Sequence, residues 1–416
     1  MIKVIHPAEV EGEITAPPSK SMTQRAFAAA LLAKGTTTII NPSGSDDSLA
    51  ALGMTRKLGA EVVAGNGNII ISGGFLLPGA QLHCGESGLA MRMFASIAAL
   101  QPEQITFTGE GSLNKRPVSM IEEALKQLGV NVKSNNGLLP FSVQGPLQGG
   151  KAVIDGSVSS QLLTGLLMAL PMAENDSEIH VINLKSKSYI AMTLQLLGEF
   201  GIIIENHNFE LFKIHGNQPY RALEYTVEGD WSGAAFLLVA GAVNGNIRVK
   251  GLHAASKQSD MTILDALQNA GAYIKLEDDT VSVSKSVLSA FRFDATECPD
   301  LFPPLAALAA YCAGITRILG VNRLIYKESN RAVAIQEEMR KLGITVRIEG
   351  DEMLITGGKI RRAFVHSHHD HRIAMMAAVA AISADGYVTI KDAECVAKSY
   401  PGFFNDLEKL GMEIGG

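Results

Sequence analysis

Two apolar patterns alternate along the chain, and each recurs about every 70 residues. The first is apolar on nearly every side and starts near Ser21, Ser87, Ser159, Trp231, Leu301 and His371. All-round hydrophobicity predicts helices buried on every flank, so these belong inside a domain with other elements around them. The second is amphipathic, as in Ile121, Leu125 and Leu128 or Ile335, Met339 and Leu342, a spacing that predicts helices lying on a core. Each of these ends in apolar-Gly-apolar, with glycines at 59, 129, 201, 271, 343 and 411, separated by 70, 72, 70, 72 and 68 positions. Such a glycine suits the left-handed residue that closes a helix.

β-prone segments follow both patterns. Thr38–Ile40, Ile105–Phe107, Ile179–Val181, Ile247–Val249, Thr316–Ile318 and Val388–Ile390 come after the all-apolar runs. Glu61–Val63, Ile202–Ile204 and Ile344–Val346 come after the glycines. The pattern predicts an α/β chain of six βαβαββ-like units, grouped three and three, with the join near Thr226–Gly229. A length of 416 residues also exceeds one ordinary core and favours two domains.

Composition narrows the function. A net charge of −6 argues against sequence-independent binding to nucleic acid, which needs a basic face. Cys84, Cys298, Cys312 and Cys395 are far apart with no CxxC pair, as in reduced cytosolic thiols. The N-terminus is too short and polar for a secretory signal, and the apolar runs fall short of the roughly 18 residues a membrane span needs. A cytoplasmic protein without membrane or nucleic-acid partners is expected.

The chemistry gathers where the buried helices begin. Their leading residues are Ser19-Lys20-Ser21, Glu86-Ser87-Gly88, Ser159-Ser160-Gln161, Asp230-Trp231-Ser232, Pro299-Asp300 and Asp370-His371-Arg372. A helix start offers unpaired N–H groups and the positive end of the dipole. Parallel helices in each half would bring these ends to one face. Two such faces opposed would form a cleft for a small, multiply charged anion.

These residues, taken in order, resemble the EPSP synthase (3-phosphoshikimate 1-carboxyvinyltransferase) family over essentially the whole chain. The matching stretches are Ser19-Lys20-Ser21…Arg25, Ser45-Asp46-Asp47, Gly85 to Arg92, Arg116-Pro117, Ser159-Ser160-Gln161, Ser186-Lys187-Ser188-Tyr189, Asp300, Lys327 to Arg331, Asp370-His371-Arg372 and Lys398 to Pro401. The resemblance implies transfer of the carboxyvinyl group of phosphoenolpyruvate to the 5-hydroxyl of shikimate 3-phosphate, releasing phosphate through a tetrahedral ketal. It also implies a two-domain inside-out α/β barrel with residues 15–227 in one domain, 1–14 and 228–416 in the other, and the active site in the cleft between them.

By the same resemblance, Lys20, Ser21, Arg25, Ser159, Ser160, Gln161, Ser186, Asp300, Arg323 and Lys327 would hold shikimate 3-phosphate. Phosphoenolpyruvate would lie against Lys20, Gly88, Arg116, Gln161, Arg331, Arg372 and Lys398. Asp300 would be the base with Lys20 assisting, and Glu328 the proton donor, although the cations Lys327 and Arg331 favour its ionised form. No metal or other cofactor is implied, and a monomer is expected. Gly88 implies inhibition by glyphosate.

Glu86, Ser87 and Leu89 replace the Asn, Ala and Thr more usual in the family, and a carboxylate at Glu86 should weaken an anion site unless Arg116 or Arg331 neutralises it. Arg323 stands where Asn is common. Three other motifs are read as structural. The histidines of His366–His371 lack tetrahedral metal spacing, Gly145–Ala152 misses the hydroxyl of a phosphate loop, and Asp46-Asp47 suits a helix start. Two alternatives share features of this reading: an enolpyruvyl transferase acting on UDP-N-acetylglucosamine, and a non-catalytic binder of shikimate 3-phosphate. The first typically carries a cysteine before its Arg-Pro turn, where this chain has Gly111–Lys115.

Overall fold

The computed structural model describes residues 1–74, 81–157, 159–325 and 327–416. Among them are twelve α-helices: α1 (Lys20–Leu32), α2 (Asp46–Lys57), α3 (Gly88–Ala98), α4 (Ser119–Gln127), α5 (Gln161–Ala169), α6 (Lys187–Glu199), α7 (Trp231–Asn244), α8 (Ile263–Asn269), α9 (Phe302–Ala309), α10 (Arg331–Lys341), α11 (His371–Ala380) and α12 (Phe403–Lys409). The chain forms two compact units, one of Pro18–Val227 and one of Met1–Pro17 with Glu228–Gly416. The first crossover thus falls at Pro17–Pro18, a little beyond position 14. Val10–Thr15 pairs in parallel with Gly245–Lys250 as far as Thr15 opposite Lys250, and the Ala16 N–H extends the ladder to the Lys250 carbonyl at 2.9 Å.

Among the described residues of Pro18–Val227 three four-stranded sheets repeat one topology. In the second, Gln81–His83 runs parallel to Gln104–Thr108, which pairs antiparallel with Leu138–Gln144, and that strand in turn with Asn131–Asn135. The βαβαββ unit expected from the periodicity is therefore present. The first repeat is completed from the far end, where Glu224–Thr226 pairs in parallel with Thr36–Ile40. In the other unit the last sheet is completed by the amino terminus, with Ile2–Ile5 antiparallel between Val388–Lys391 and Ile414–Gly415. All six helix-closing glycines adopt positive φ, between 80° and 111°.

Each unit keeps its all-apolar helices inside. Every residue of α3 is buried, as is every residue of α7 from Trp231 to Val243. Helices α3 and α5 touch so closely that a Cβ on Gly165 would lie 2.8 Å from the Met93 carbonyl oxygen, so only glycine fits there. No described helix is long and apolar enough to cross a membrane.

Candidate active site

In Pro18–Val227 the leading turns of α1, α3 and α5 are tied together. Ser87 caps α3 by accepting from the Ala90 N–H, and its hydroxyl donates to Gln24 Oε1 of α1 at 3.0 Å. Arg92 Nη1 on α3 donates to Gln161 Oε1, the first residue of α5, at 2.9 Å. A Cβ built on Gly88 would lie 2.8 Å from Arg116 Nη1 and 2.9 Å from Arg92 Nη1. Two guanidinium groups and an amide therefore converge on the bare backbone of Gly88. Ser159 Oγ accepts from the Gln161 N–H at 3.2 Å, and buried Ser160 is the residue before α5.

Arg25, also on α1, is 1% exposed. It donates to Thr193 Oγ1 at 2.9 Å, the Ser21 carbonyl at 2.9 Å, Thr164 Oγ1 at 3.4 Å and the Tyr189 carbonyl at 3.3 Å. None of these partners is a carboxylate, and burial pulls its pKa down to about 10. Ser186, buried and left-handed at φ 55°, begins the turn into α6 that presents the Tyr189 carbonyl. Lys20 pairs with Asp47 Oδ2 at 2.8 Å. Asp46 and Asp47 do occupy the first turn of α2, as their residue type suggests, but Asp47 is also the counter-ion of a predicted catalytic lysine.

In the other unit an ion network surrounds Asp300, in the turn leading into α9. Asp300 Oδ1 accepts from Arg331 Nη1 at 2.8 Å and Lys327 Nζ at 3.1 Å, while Oδ2 accepts from Arg372 Nη2 at 3.1 Å. Burial alone would raise the Asp300 pKa, but Arg372, Lys327 and Arg331 outweigh it and hold the carboxyl well below the usual range. Arg331 also donates through Nη2 to Glu328 Oε2 at 2.5 Å and through Nε to Asp370 Oδ2 at 2.9 Å. Burial opposes the charge on Arg331, and Asp370, Glu328 and Asp300 more than restore it, so its pKa is raised. Burial lowers the Lys327 pKa despite Asp300. Asp370 caps α11 at the Arg372 N–H, and Lys398 Nζ donates to the His369 carbonyl at 2.8 Å. Arg323 lies in the turn Val321–Leu324, packed against the turn that carries Asp300.

The family model for EPSP synthase (3-phosphoshikimate 1-carboxyvinyltransferase) matches residues 4–407. The chain belongs to the EPSP synthase family. A 3-phosphoshikimate 1-carboxyvinyltransferase of Clostridium kluyveri is 39% identical over 415 residues, covering 99% of this chain and 97% of that protein. One of Methanocorpusculum labreanum is 38% identical, covering 99% of both. The solved EPSP synthase of Acinetobacter baumannii superposes with a TM-score of 0.84 at 25% identity, over 100% of both chains. The two-domain inside-out α/β fold is thus that of the EPSP synthase family.

Two details refine the reading of this family member. Glu86 turns its Oε2 to the Ser112 N–H at 2.9 Å, at the start of the turn Gly111–Lys115 that leads to Arg116. Its carboxylate is thereby held by backbone, a contact that the residue type did not suggest. The histidine run also gains a partner from outside itself. His366, His369 and Asp392 offer ligand atoms within 4.8 Å of one another, as do Glu337, Glu338 and His368. However, His366 Nδ1 accepts from the His368 N–H at 2.7 Å, so the proton sits on Nε2, facing Asp392 Oδ2 at 2.9 Å. A metal at Nε2 would have to break that arrangement.

The Gly145–Ala152 stretch runs into the strand Gly150–Asp155, so no helix follows it to form a phosphate loop. Arg92 and Asp370 lie within the motifs that carry the resemblance, and their bonds to Gln161 and Arg331 give them a place in the site that spacing does not show.

Proposed function

We propose that this EPSP synthase family member transfers the carboxyvinyl group of phosphoenolpyruvate to the 5-hydroxyl of shikimate 3-phosphate, releasing phosphate, and that both half-sites act on the same pair of substrates. The observation that carries the reading is Arg25. A buried guanidinium whose partners among the described residues are all uncharged is costly unless an anion meets it, and a substrate phosphate is the natural complement. Ser21, Ser159, Ser160, Gln161 and Ser186 surround the same helix starts and supply directed hydrogen bonds, with Lys327 and Arg323 contributing from the other unit. Gly88, Arg116, Gln161, Arg331, Arg372, Lys398 and Lys20 receive the carboxylate and phosphate of phosphoenolpyruvate.

Asp300 takes the proton of the 5-hydroxyl, with Lys20 assisting, as that oxygen bonds to C2 of phosphoenolpyruvate, and Glu328 gives a proton to the methylene carbon. Elimination then returns a methyl proton to Glu328, and the departing phosphate takes the proton held on Asp300. The ion pair with Arg331 favours the Glu328 carboxylate, and the negative charge of two phosphorylated substrates competes for that guanidinium and frees the acid form. The reaction needs no resident metal or cofactor, and we infer a cytoplasmic monomer inhibited by glyphosate.

Phosphate release on mixing the two substrates tests the reading. Release that vanishes in Lys20→Ala and Asp300→Ala ties it to these side chains, and no release from the wild-type protein would refute it. Glu328→Gln should abolish its limb of the kcat–pH profile. A profile superimposable on wild type would remove Glu328 as the donor.

A further inference from the structure

Glu338 stands two turns along α10 from Arg331 and is fully buried. Its Oε2 accepts the His366 N–H at 3.0 Å, and its Oε1 accepts from His368 Nε2 at 2.7 Å. Lys341 Nζ donates to both oxygens, at 2.8 and 2.9 Å. Burial alone would raise the pKa of this carboxyl, but His368, Lys341 and the His366 N–H outweigh it and hold the group below the usual range. Glu338 therefore grips the histidine run at both backbone and side chain.

The gripped segment has a costly backbone. His368 and His369 are both left-handed, at φ 54° and 55°, a conformation that persists in non-glycine residues only where neighbours fix it. Here His366 Nδ1 accepts the His368 N–H at 2.7 Å. Ser367 Oγ accepts the His369 N–H at 3.1 Å and donates to the Asp392 carbonyl at 2.9 Å. The turn presents the His369 carbonyl, which receives Lys398 Nζ at 2.8 Å. Lysine carries its charge on a flexible four-carbon stem, so the place of its ammonium depends on where its acceptor stands.

We propose that Glu338 and His368 are positioning residues for Lys398: they hold the left-handed turn that fixes the His369 carbonyl, and that carbonyl sets where the Lys398 ammonium meets phosphoenolpyruvate. The contacts run from Glu338 Oε1 to the His368 ring, along the backbone to His369 and on to Lys398. Breaking the first contact lets the carbonyl turn away, and the ammonium loses its fixed place without losing its charge. The effect falls on phosphoenolpyruvate, the substrate assigned to Lys398, and not on shikimate 3-phosphate.

The inference rests on Lys398 receiving phosphoenolpyruvate, and the experiment separates the two. Steady-state kcat and KM for both substrates are measured for the wild-type protein, Glu338→Gln, His368→Asn, His368→Gln, Lys398→Met and the double variant His368→Asn with Lys398→Met. His368→Asn suits the left-handed backbone but is too short to reach Glu338, whereas His368→Gln keeps an N–H donor near the place of Nε2. Losing one hydrogen bond to a charged group predicts KM for phosphoenolpyruvate up about fivefold in His368→Asn and Glu338→Gln, with KM for shikimate 3-phosphate within about twofold. His368→Gln should restore KM to within about twofold of wild type, and Lys398→Met should raise it by about tenfold or more. In the double variant KM should match that of Lys398→Met, because the turn then has no ammonium to place. Thermal melting reports whether each variant folds, and the His368 variants carry the test even where Glu338→Gln does not. If Lys398→Met weakens phosphoenolpyruvate while His368→Asn binds it as wild type does, the positioning role is wrong and the Lys398 assignment survives. If Lys398→Met keeps the wild-type KM, that assignment falls. An undiminished effect of His368→Asn in the Lys398→Met background, or an equal rise in KM for both substrates, marks a purely structural contact and overturns the proposal.

Discussion

Replacing Gly88 by Ala tests the convergence of cations in the first half-site. The new methyl would lie 2.8 Å from Arg116 Nη1 and 2.9 Å from Arg92 Nη1, with Gln161 Oε1 at 3.5 Å. Ordinary contact begins near 3.4 Å, so the two guanidinium ends must retreat by about 0.6 and 0.5 Å (3.4 − 2.8 and 3.4 − 2.9). They are ends of flexible side chains, and Ala at the first helical turn lowers unfolded-state entropy by roughly 0.4–1 kcal/mol. Stability should therefore change by less than about 1 kcal/mol. A displacement of half an ångström loosens the hydrogen bonds of one charged ligand group, worth about 1.5–3 kcal/mol when lost outright. Partial loss predicts KM for phosphoenolpyruvate up by roughly tenfold, with KM for shikimate 3-phosphate within twofold. Glyphosate inhibition should weaken in the same variant. Thermal melting and steady-state kinetics with each substrate varied provide the assay. An unchanged KM for phosphoenolpyruvate together with unchanged inhibition refutes the placement of that ligand at Gly88.

Arg25→Lys keeps the charge but cannot reach four acceptors at once; KM for shikimate 3-phosphate should rise by about 100-fold or more in steady-state assays, with phosphoenolpyruvate much less affected. Asp370→Ala removes a fully buried partner of Arg331, Ser329 and the Arg372 N–H; a loss of about 3–5 kcal/mol is expected from denaturant unfolding, and less than 1 kcal/mol would contradict the network. Asp260 has a folded pKa raised to about 6 from an ordinary value near 3.9. Its neutral form contributes stability fully present below about pH 4 and lost as pH rises through 6. Asp260→Asn should therefore be more stable than wild type at pH 7.5, by about 3 kcal/mol, and equal to it at pH 4, as read from denaturant midpoints.

Much of the local structure was written in spacing. The all-apolar runs became α1, α3, α5, α7, α9 and α11 within two residues of their expected starts, because a helix with no polar face has no stable place but a domain interior. The six closing glycines adopted left-handed backbone because a side chain there is strained. The chain order of cations, hydroxyls and carboxylates also sufficed to suggest the family, and most named side chains stand at the helix starts where they were expected.

Other features depend on distance through space. Nothing in the spacing shows that Asp47 neutralises Lys20, that Glu86 accepts from the Ser112 N–H, or that Asp392 faces His366. The closing of the first repeat by Glu224–Thr226 and of the last by Ile2–Ile5 joins chain ends that periodicity leaves apart. The sequence alone determined which segments must be helix or strand and which face must be buried, since those depend on neighbours a few residues away. Tertiary structure alone decided which charge meets which, because the energy of an ion pair or a buried carboxylate such as Asp260 is set by separation and desolvation, and neither quantity exists until the chain has folded.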